Sequence, residues 1–153
     1  MPRSAGTIYL DEQVARAAAI LLPAGAWDAA PTEVVCGSAL SVTFYITYTR
    51  GGVGGAIDTQ VQTSPYSVDR AVVEDWFSED IFSAGAVAAG VDTASRIQRN
   101  TLTYQAVGAA AEMYVLDPIV LGGTVERIRI PCRESGNVGA PGTAHIVAMF
   151  SWD

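Results

Sequence analysis

The sequence predicts an all-β protein, an antiparallel two-sheet sandwich or jelly roll with an extended N-terminal arm. Three observations carry that expectation. In Ser41-Val-Thr-Phe-Tyr-Ile-Thr-Tyr-Thr49 the even positions are apolar or aromatic and the odd positions are mostly hydroxylated, the period of a half-buried strand. The same period returns in Val125 to Arg133 and in Gly142 to Asp153. The chain as a whole is punctuated by 15 glycines and 7 prolines, most of them between such runs, as short strands and turns require in an all-β domain.

Taken in order, residues 1–32 read as arm and link and residues 33–153 as the sandwich domain. Thr7 to Leu10 has the character of a short edge strand. Asp11 to Leu22 admits two readings, a helix with Asp11 as its cap and alanines in its middle, or an extended segment, which the all-β surroundings slightly favour. Pro23 to Pro31 is a turn-rich link that holds Trp27, and Glu33 to Cys36 reads as a short strand. Ser41 to Ser64 reads as a long hairpin around Arg50-Gly-Gly-Val-Gly-Gly55, whose four glycines permit a reversal with positive φ.

Beyond it, Val72, Val73, Trp76, Phe77 and Ile81 recur at three- and four-residue spacing, which predicts an amphipathic helical turn or two, or else a loop with aromatic anchors. Ser83 to Ser95 is rich in alanine and glycine and reads as a surface loop. Strand character resumes at Ile97 to Ala106 and at Glu112 to Leu116. In Val125 to Arg133, Ile128, Ile130 and Cys132 point one way and Arg127, Arg129 and Arg133 the other, with Pro131 placing the strand at an edge or a bulge. Glu134 to Gly142 is a loop. In the terminal strand Ile146, Ala148, Phe150 and Trp152 share one face, while His145, Val147, Met149 and Ser151 share the other. Both faces are rather apolar, so this strand is expected to be covered on two sides.

Composition narrows the functions. The chain has 153 residues, 50% of them hydrophobic and 16% charged, enough for one domain with a sizeable core. No apolar run reaches the length of a membrane-spanning helix, and the first residues lack the charged-then-apolar order of a secretory signal, so neither a membrane partner nor export is expected. A net charge of −7 and a pI near 4.5 oppose phosphate binding, so nucleic acid is not an expected partner. Cys36 and Cys132 are too few for a zinc site; a disulfide between them is weighed against two small buried thiols, and the thiols are favoured.

No pattern of catalytic residues emerges, so the protein is expected not to be an enzyme, and neither a cofactor nor a metal is expected. His145 is the only histidine and reads as structural. Glu74, Asp75, Glu79 and Asp80 lack the order of a calcium loop and read as a solvated face rather than as a glycosidase pair. The glycine run lacks the Lys-Ser/Thr of a phosphate loop. Trp27, Trp76 and Trp152 suit either a core or a sugar platform.

The run Leu121-Gly-Gly-Thr-Val-Glu-Arg-Ile-Arg-Ile130, then Arg133-Glu-Ser-Gly-Asn137 and Pro141-Gly-Thr-Ala-His-Ile-Val-Ala-Met-Phe150, resembles the small jelly-roll decoration, or cement, proteins of tailed-phage heads. Tyr45-Ile-Thr-Tyr-Thr49 and Val61-Gln-Thr-Ser-Pro65 are similar to the same group. The resemblance covers Ser41 to the end and implies a homotrimer on the outside of an icosahedral shell, made in the host cytoplasm and clamping neighbouring copies of the major capsid protein. The expected partners are therefore the major capsid protein and the chain itself. Arg3, Ile8 and Tyr9 on the arm and Arg127, Arg129 and Arg133 on the outward face are the candidate capsid contacts. His145, Val147 and Met149 are the candidate subunit interface. A carbohydrate-binding module on a similar sandwich is the alternative.

Overall fold

The computed structural model describes residues 10–65, 76–79, 83–84, 101–122 and 125–152. Its elements are the strands β1 (Leu10–Arg16), β2 (Val34–Val35), β3 (Ser41–Thr49), β4 (Ala56–Thr59), β5 (Val61–Pro65), β6 (Phe77–Glu79), β7 (Ser83–Ala84), β8 (Leu102–Gln105), β9 (Glu112–Leu116), β10 (Ile119–Val120), β11 (Val125–Arg129), β12 (Cys132–Glu134) and β13 (Thr143–Ser151). Among the described residues every pairing between these strands is antiparallel, and the fold is an all-β sandwich.

One layer is a six-stranded sheet in the order β1-β13-β3-β9-β7, with β10 also on β3. The other contains β2-β11-β5-β6 and β12-β4-β8. These last two run into one another, since β11 continues into β12 through Ile130 and Pro131, and β4 into β5 through Gln60. Pro131 sits in the break. It has no N–H for a ladder, and its carbonyl accepts from the Gln60 N–H at 3.0 Å. β11 itself lies between β2 and β5, while β12 is the outer strand of β12-β4-β8, so the proline marks the break between a strand inside one sheet and a strand at the edge of another.

The core follows the alternation. Val42, Phe44, Ile46 and Tyr48 of β3, Ala144, Ile146, Ala148 and Phe150 of β13, and Ile128, Ile130 and Cys132 are all buried in one cluster. Each large aliphatic or aromatic side chain there contributes about 1.5–3 kcal/mol.

Three expectations fail for physical reasons. Ser41 to Ser64 is not a hairpin, because β3 pairs with β13, β9 and β10 while β4 pairs with β12 and β8. The loop 50–55 therefore carries the chain from one layer to the other. Its glycines serve close approach more than reversal. Only Gly54 has a positive φ, 79°, whereas a Cβ on Gly51 would collide with the Pro141 carbonyl oxygen, and one on Gly55 would meet the Tyr48 hydroxyl at 2.8 Å.

The second correction concerns the helical turns expected around Trp76. Phe77 to Glu79 forms β6 along Val61–Thr63, where an unpaired strand edge offers backbone partners that a short isolated helix cannot match; residues 69–75 and 80–82 lie outside the described residues. Ser83–Ala84, expected in a loop, likewise pairs with Val115 and Leu116, and the rest of that stretch is outside the description.

The third lies at the beginning. Leu10 to Arg16, assigned by the sequence to the arm, runs along β13 from Ser151 to Ile146, so the extended reading of Asp11 to Leu22 holds as far as Arg16, after which the chain turns at 18–19 and rejoins β13 through the single bridge of Leu21 to Thr143. The link behind it is packed as well. Leu22 is buried, and the buried Arg16 guanidinium makes two hydrogen bonds to Asp28, at 2.8 and 3.0 Å, and one to the Leu21 carbonyl at 2.8 Å. Asp28 Oδ2 in turn accepts from the Cys132 N–H at 3.1 Å.

Cys36 and Cys132 are free and buried. Burial pushes the Cys36 thiol up to about 12 and raises that of Cys132 as well, so neither carries a reactive thiolate near neutral pH. The folded protein is expected to resist a thiol-modifying reagent at mildly alkaline pH and to react at both cysteines once unfolded. Prompt reaction of the native protein would contradict this packing.

Candidate interaction surfaces

The outward arginines of β11 and β12 point away from the core as the alternation requires, but each has partners within the chain. Arg127 Nη1 donates to Glu33 Oε2 at 2.7 Å. Arg129 Nε donates to Gln62 Oε1 at 2.8 Å, and its guanidinium lies 4.0 Å from the centre of the Trp76 ring. Arg127 approaches the same ring at 5.8 Å. Arg133 Nε donates to Asp58 Oδ2 at 2.8 Å and stacks on Trp27 at 4.4 Å. Asp58 also accepts from Thr103 Oγ1 at 2.6 Å and Ser135 Oγ at 2.8 Å. Such cation–π and charge-assisted contacts fix the arginine side chains. The sequence places these residues on the right face and shows nothing of their partners, because Trp27, Asp58 and Trp76 are distant in the chain. Arg3, Ile8 and Tyr9 lie outside the described residues.

The second surface is the outer face of the six-stranded sheet. His145, Val147 and Met149 are half-buried there. Register aligns Val14 with Val147, Val147 with Tyr45, Tyr45 with Val115, and Val115 with Ala84. An apolar row of Val14, Val147, Tyr45 and Val115 thus crosses four strands. Val14 and Tyr45 are exposed, and Met113, opposite Thr47 on the same face, is 72% exposed. A water-facing sheet ordinarily alternates to polar residues on this side, and an apolar sheet face is the signature of a contact surface.

The feature that sequence reading missed is Glu134. Its carboxylate is fully buried and faces no cation among its hydrogen-bond partners. Oε1 accepts from the Tyr48 hydroxyl at 2.7 Å and the Gly142 N–H at 3.0 Å. Oε2 accepts from the N–H groups of Ala56, Gly136 and Asn137 at 2.7, 3.2 and 3.3 Å. One side chain thus ties the end of β3 and the start of β4, on either side of the 50–55 loop, to the 135–142 loop. The signal was present: the phase of Ile128, Ile130 and Cys132, carried two residues on, places Glu134 on the core face. Carried back, it places Glu126 there too, and Glu126 is buried.

Among the described residues no group of three or more His, Cys, Asp or Glu side chains gathers to hold a metal ion. Glu74, Asp75 and Asp80 lie outside the described residues, and Glu79 falls in β6. No helix in the described residues is long and apolar enough to cross a membrane.

Comparison with solved structures finds the same fold elsewhere. The chain is similar to the SPBc2 prophage-derived protein YomS, with a TM-score of 0.53 over 97% of this chain and 98% of that one, at 7% identity. That likeness is one of fold. No family model and no curated protein matches the sequence.

Proposed function

We propose that the chain is a non-enzymatic structural protein of a tailed-phage head, decorating the outside of the shell by binding the major capsid protein. The observation that supports it most is the agreement of two independent likenesses. The residues from Ser41 onward resemble head decoration proteins, and the sandwich matches a prophage-derived protein across nearly the whole of both chains. In this reading the protein is made in the host cytoplasm and ends on the capsid exterior as a homotrimer. Copies meet through the outer sheet face around His145, Val147 and Met149, and the residues before Leu10 join Arg127, Arg129 and Arg133 in reaching the shell.

The sugar-binding alternative gains no support from the tryptophans. Trp27 and Trp76 each have an arginine on one ring face, and Trp152 is tilted against Phe150 at 6.4 Å.

Co-sedimentation tests the proposal. Purified protein mixed with heads of its own phage that lack it should pellet with them in a saturable ratio; protein left in the supernatant at every concentration would overturn the proposal. Two subsidiary results are expected. An obligate trimer burying about 2,000 Å² or more should sediment as one species at micromolar concentration, whereas a stable monomer would count against the sheet-face interface. Deletion of residues 2–9 should weaken decoration and leave the fold intact, since β1 begins at Leu10.

A further inference from the structure

Arg16 and Arg133 each pair with an aspartate, and they use their guanidinium groups differently. Arg16 is buried and engages both terminal amines inside the chain. Its Nη1 donates to the two oxygens of Asp28 at 3.0 and 2.8 Å, and its Nη2 to the Leu21 carbonyl at 2.8 Å. Arg133 meets Asp58 through Nε instead, at 2.8 Å. Its Nη1 and Nη2 have no acceptor among the described residues, and its side chain is 32% exposed where that of Asp58 is 6%.

The reason lies in the sheet. Register aligns Arg133 with Asp58 and Asp58 with Thr103 across β12, β4 and β8. Asp58 Oδ1 accepts from Thr103 Oγ1 at 2.6 Å and from Ser135 Oγ at 2.8 Å, which leaves Oδ2 for the arginine. A carboxylate with one oxygen so occupied does not close the two-pronged pairing that arginine and aspartate otherwise form. The end of the fork, Nη1 and Nη2, stays outside the pairing. Trp27 fixes the plane of the group, with its ring centre 4.4 Å from the guanidinium carbon. Backbone bonds hold that ring in place, because residues 23–28 run along β12. Glu134 N–H donates to the Pro23 carbonyl at 2.8 Å, Gly25 N–H to the Glu134 carbonyl at 2.9 Å and Asp28 N–H to the Cys132 carbonyl at 3.1 Å. A ring on one face and a buried carboxylate at one edge therefore set the side chain before any partner arrives, which lowers the ordering cost of gripping one.

We propose that Nη1 and Nη2 of Arg133 form a preorganised fork for a carboxylate of a partner protein. On the decoration reading above, on which this identity of the partner rests, the carboxylate is an Asp or Glu side chain of the capsid protein. The chemistry selects the ligand. The two amines present parallel N–H bonds at the spacing of two carboxylate oxygens. A phosphate fits less well, since the fork is one arginine with Asp58 against it, in a protein of net charge −7. That setting opposes a doubly charged group or a nucleic acid backbone more than it opposes a single carboxylate. Lysine would not replace the group, because an ammonium offers neither the plane that stacks on Trp27 nor the paired donors.

The first test needs no shell. Nitrogen-15 spectra of the arginine side chains are recorded on the full chain at neutral pH, with sodium acetate replacing sodium chloride at constant ionic strength. The Arg133 Nη signals should move steadily with acetate; signals that stay in place would overturn the inference whatever the heads show. The second test uses heads lacking the protein. Arg133→Gln should bind them about ten-fold or more weakly, and Arg133→Lys, which keeps the charge, should bind several-fold weakly as well. Both variants should remain folded by thermal melting, since Thr103 and Ser135 still donate to Asp58. Binding of Arg133→Lys at the wild-type level would reduce the residue to a plain charge and overturn the fork. Binding of Arg133→Gln at that level would remove Arg133 from the contact. Either result leaves the decoration reading standing. Wild-type protein that binds no heads, while acetate still moves the Arg133 signals, would overturn the decoration reading and support the carboxylate site.

Discussion

Replacing Glu134 by alanine should cost about 4 kcal/mol or more of folding stability, the largest effect expected from any single substitution in this protein. The carboxylate accepts five hydrogen bonds, four from backbone N–H groups and one from the Tyr48 hydroxyl. Truncation leaves the Tyr48 hydroxyl and the Ala56 and Gly142 N–H groups buried without an acceptor, while those of Gly136 and Asn137 are only part-buried, and each buried unsatisfied group costs about 1–3 kcal/mol, offset in part where the loops relax or water enters. Total stabilities of single domains are about 5–15 kcal/mol, so the variant stands near the limit of folding. Glutamine is a poor rescue, because its amide N–H groups would face donors rather than acceptors. Urea unfolding should show the midpoint falling with little change in slope. A loss below about 1 kcal/mol would mean that the carboxylate does not tie the loops as described.

The second large effect is alkaline. Tyr48 and Tyr114 are both raised above the ordinary phenol value near 10, first by burial, then for Tyr48 by the adjoining Glu134 carboxylate and for Tyr114 by Cys132. The neutral phenol is favoured in the fold, so the native state holds protons that the unfolded chain has released above about pH 10. Stability is therefore complete below that pH and falls as pH rises through it, toward the higher native values. Two such groups give a slope of up to about 2.7 kcal/mol per pH unit. Tyr104, stacked on Tyr114 with ring centres 4.6 Å apart, is raised too, by burial and by Glu112. Spectrophotometric titration should show these phenols ionising only as the protein unfolds, and Tyr48→Phe should reduce the slope. Ionisation of all the tyrosines near pH 10 with the fold intact would contradict the packing.

How legible this was in the sequence depends on the range of the information. The strands β3, β11 and β13 declare themselves, because burial of one face writes a period of two directly into Phe44 and Ile46, Ile128 and Ile130, and Ile146 and Phe150. Which edges pair is not a local property. The run from Ser41 to Ser64 has two strands and a glycine-rich turn, and only the competition of β13 and β9 for the edges of β3 shows that the second strand belongs to the other layer. Glu134 was hidden for a different reason: a charge after Cys132 reads as the end of a strand unless the phase is followed past it. The arginines were read on the correct face, but the rings and carboxylates that hold Arg129 and Arg133 come from far along the chain.

The most direct test of the central claim is electron cryo-microscopy of the virion that carries this chain, compared with virions from a phage in which its gene is deleted. The account predicts density for the sandwich at regular positions on the outside of the head in the first, absent from the second. Identical heads in the two reconstructions, or the density confined to the tail, would contradict it.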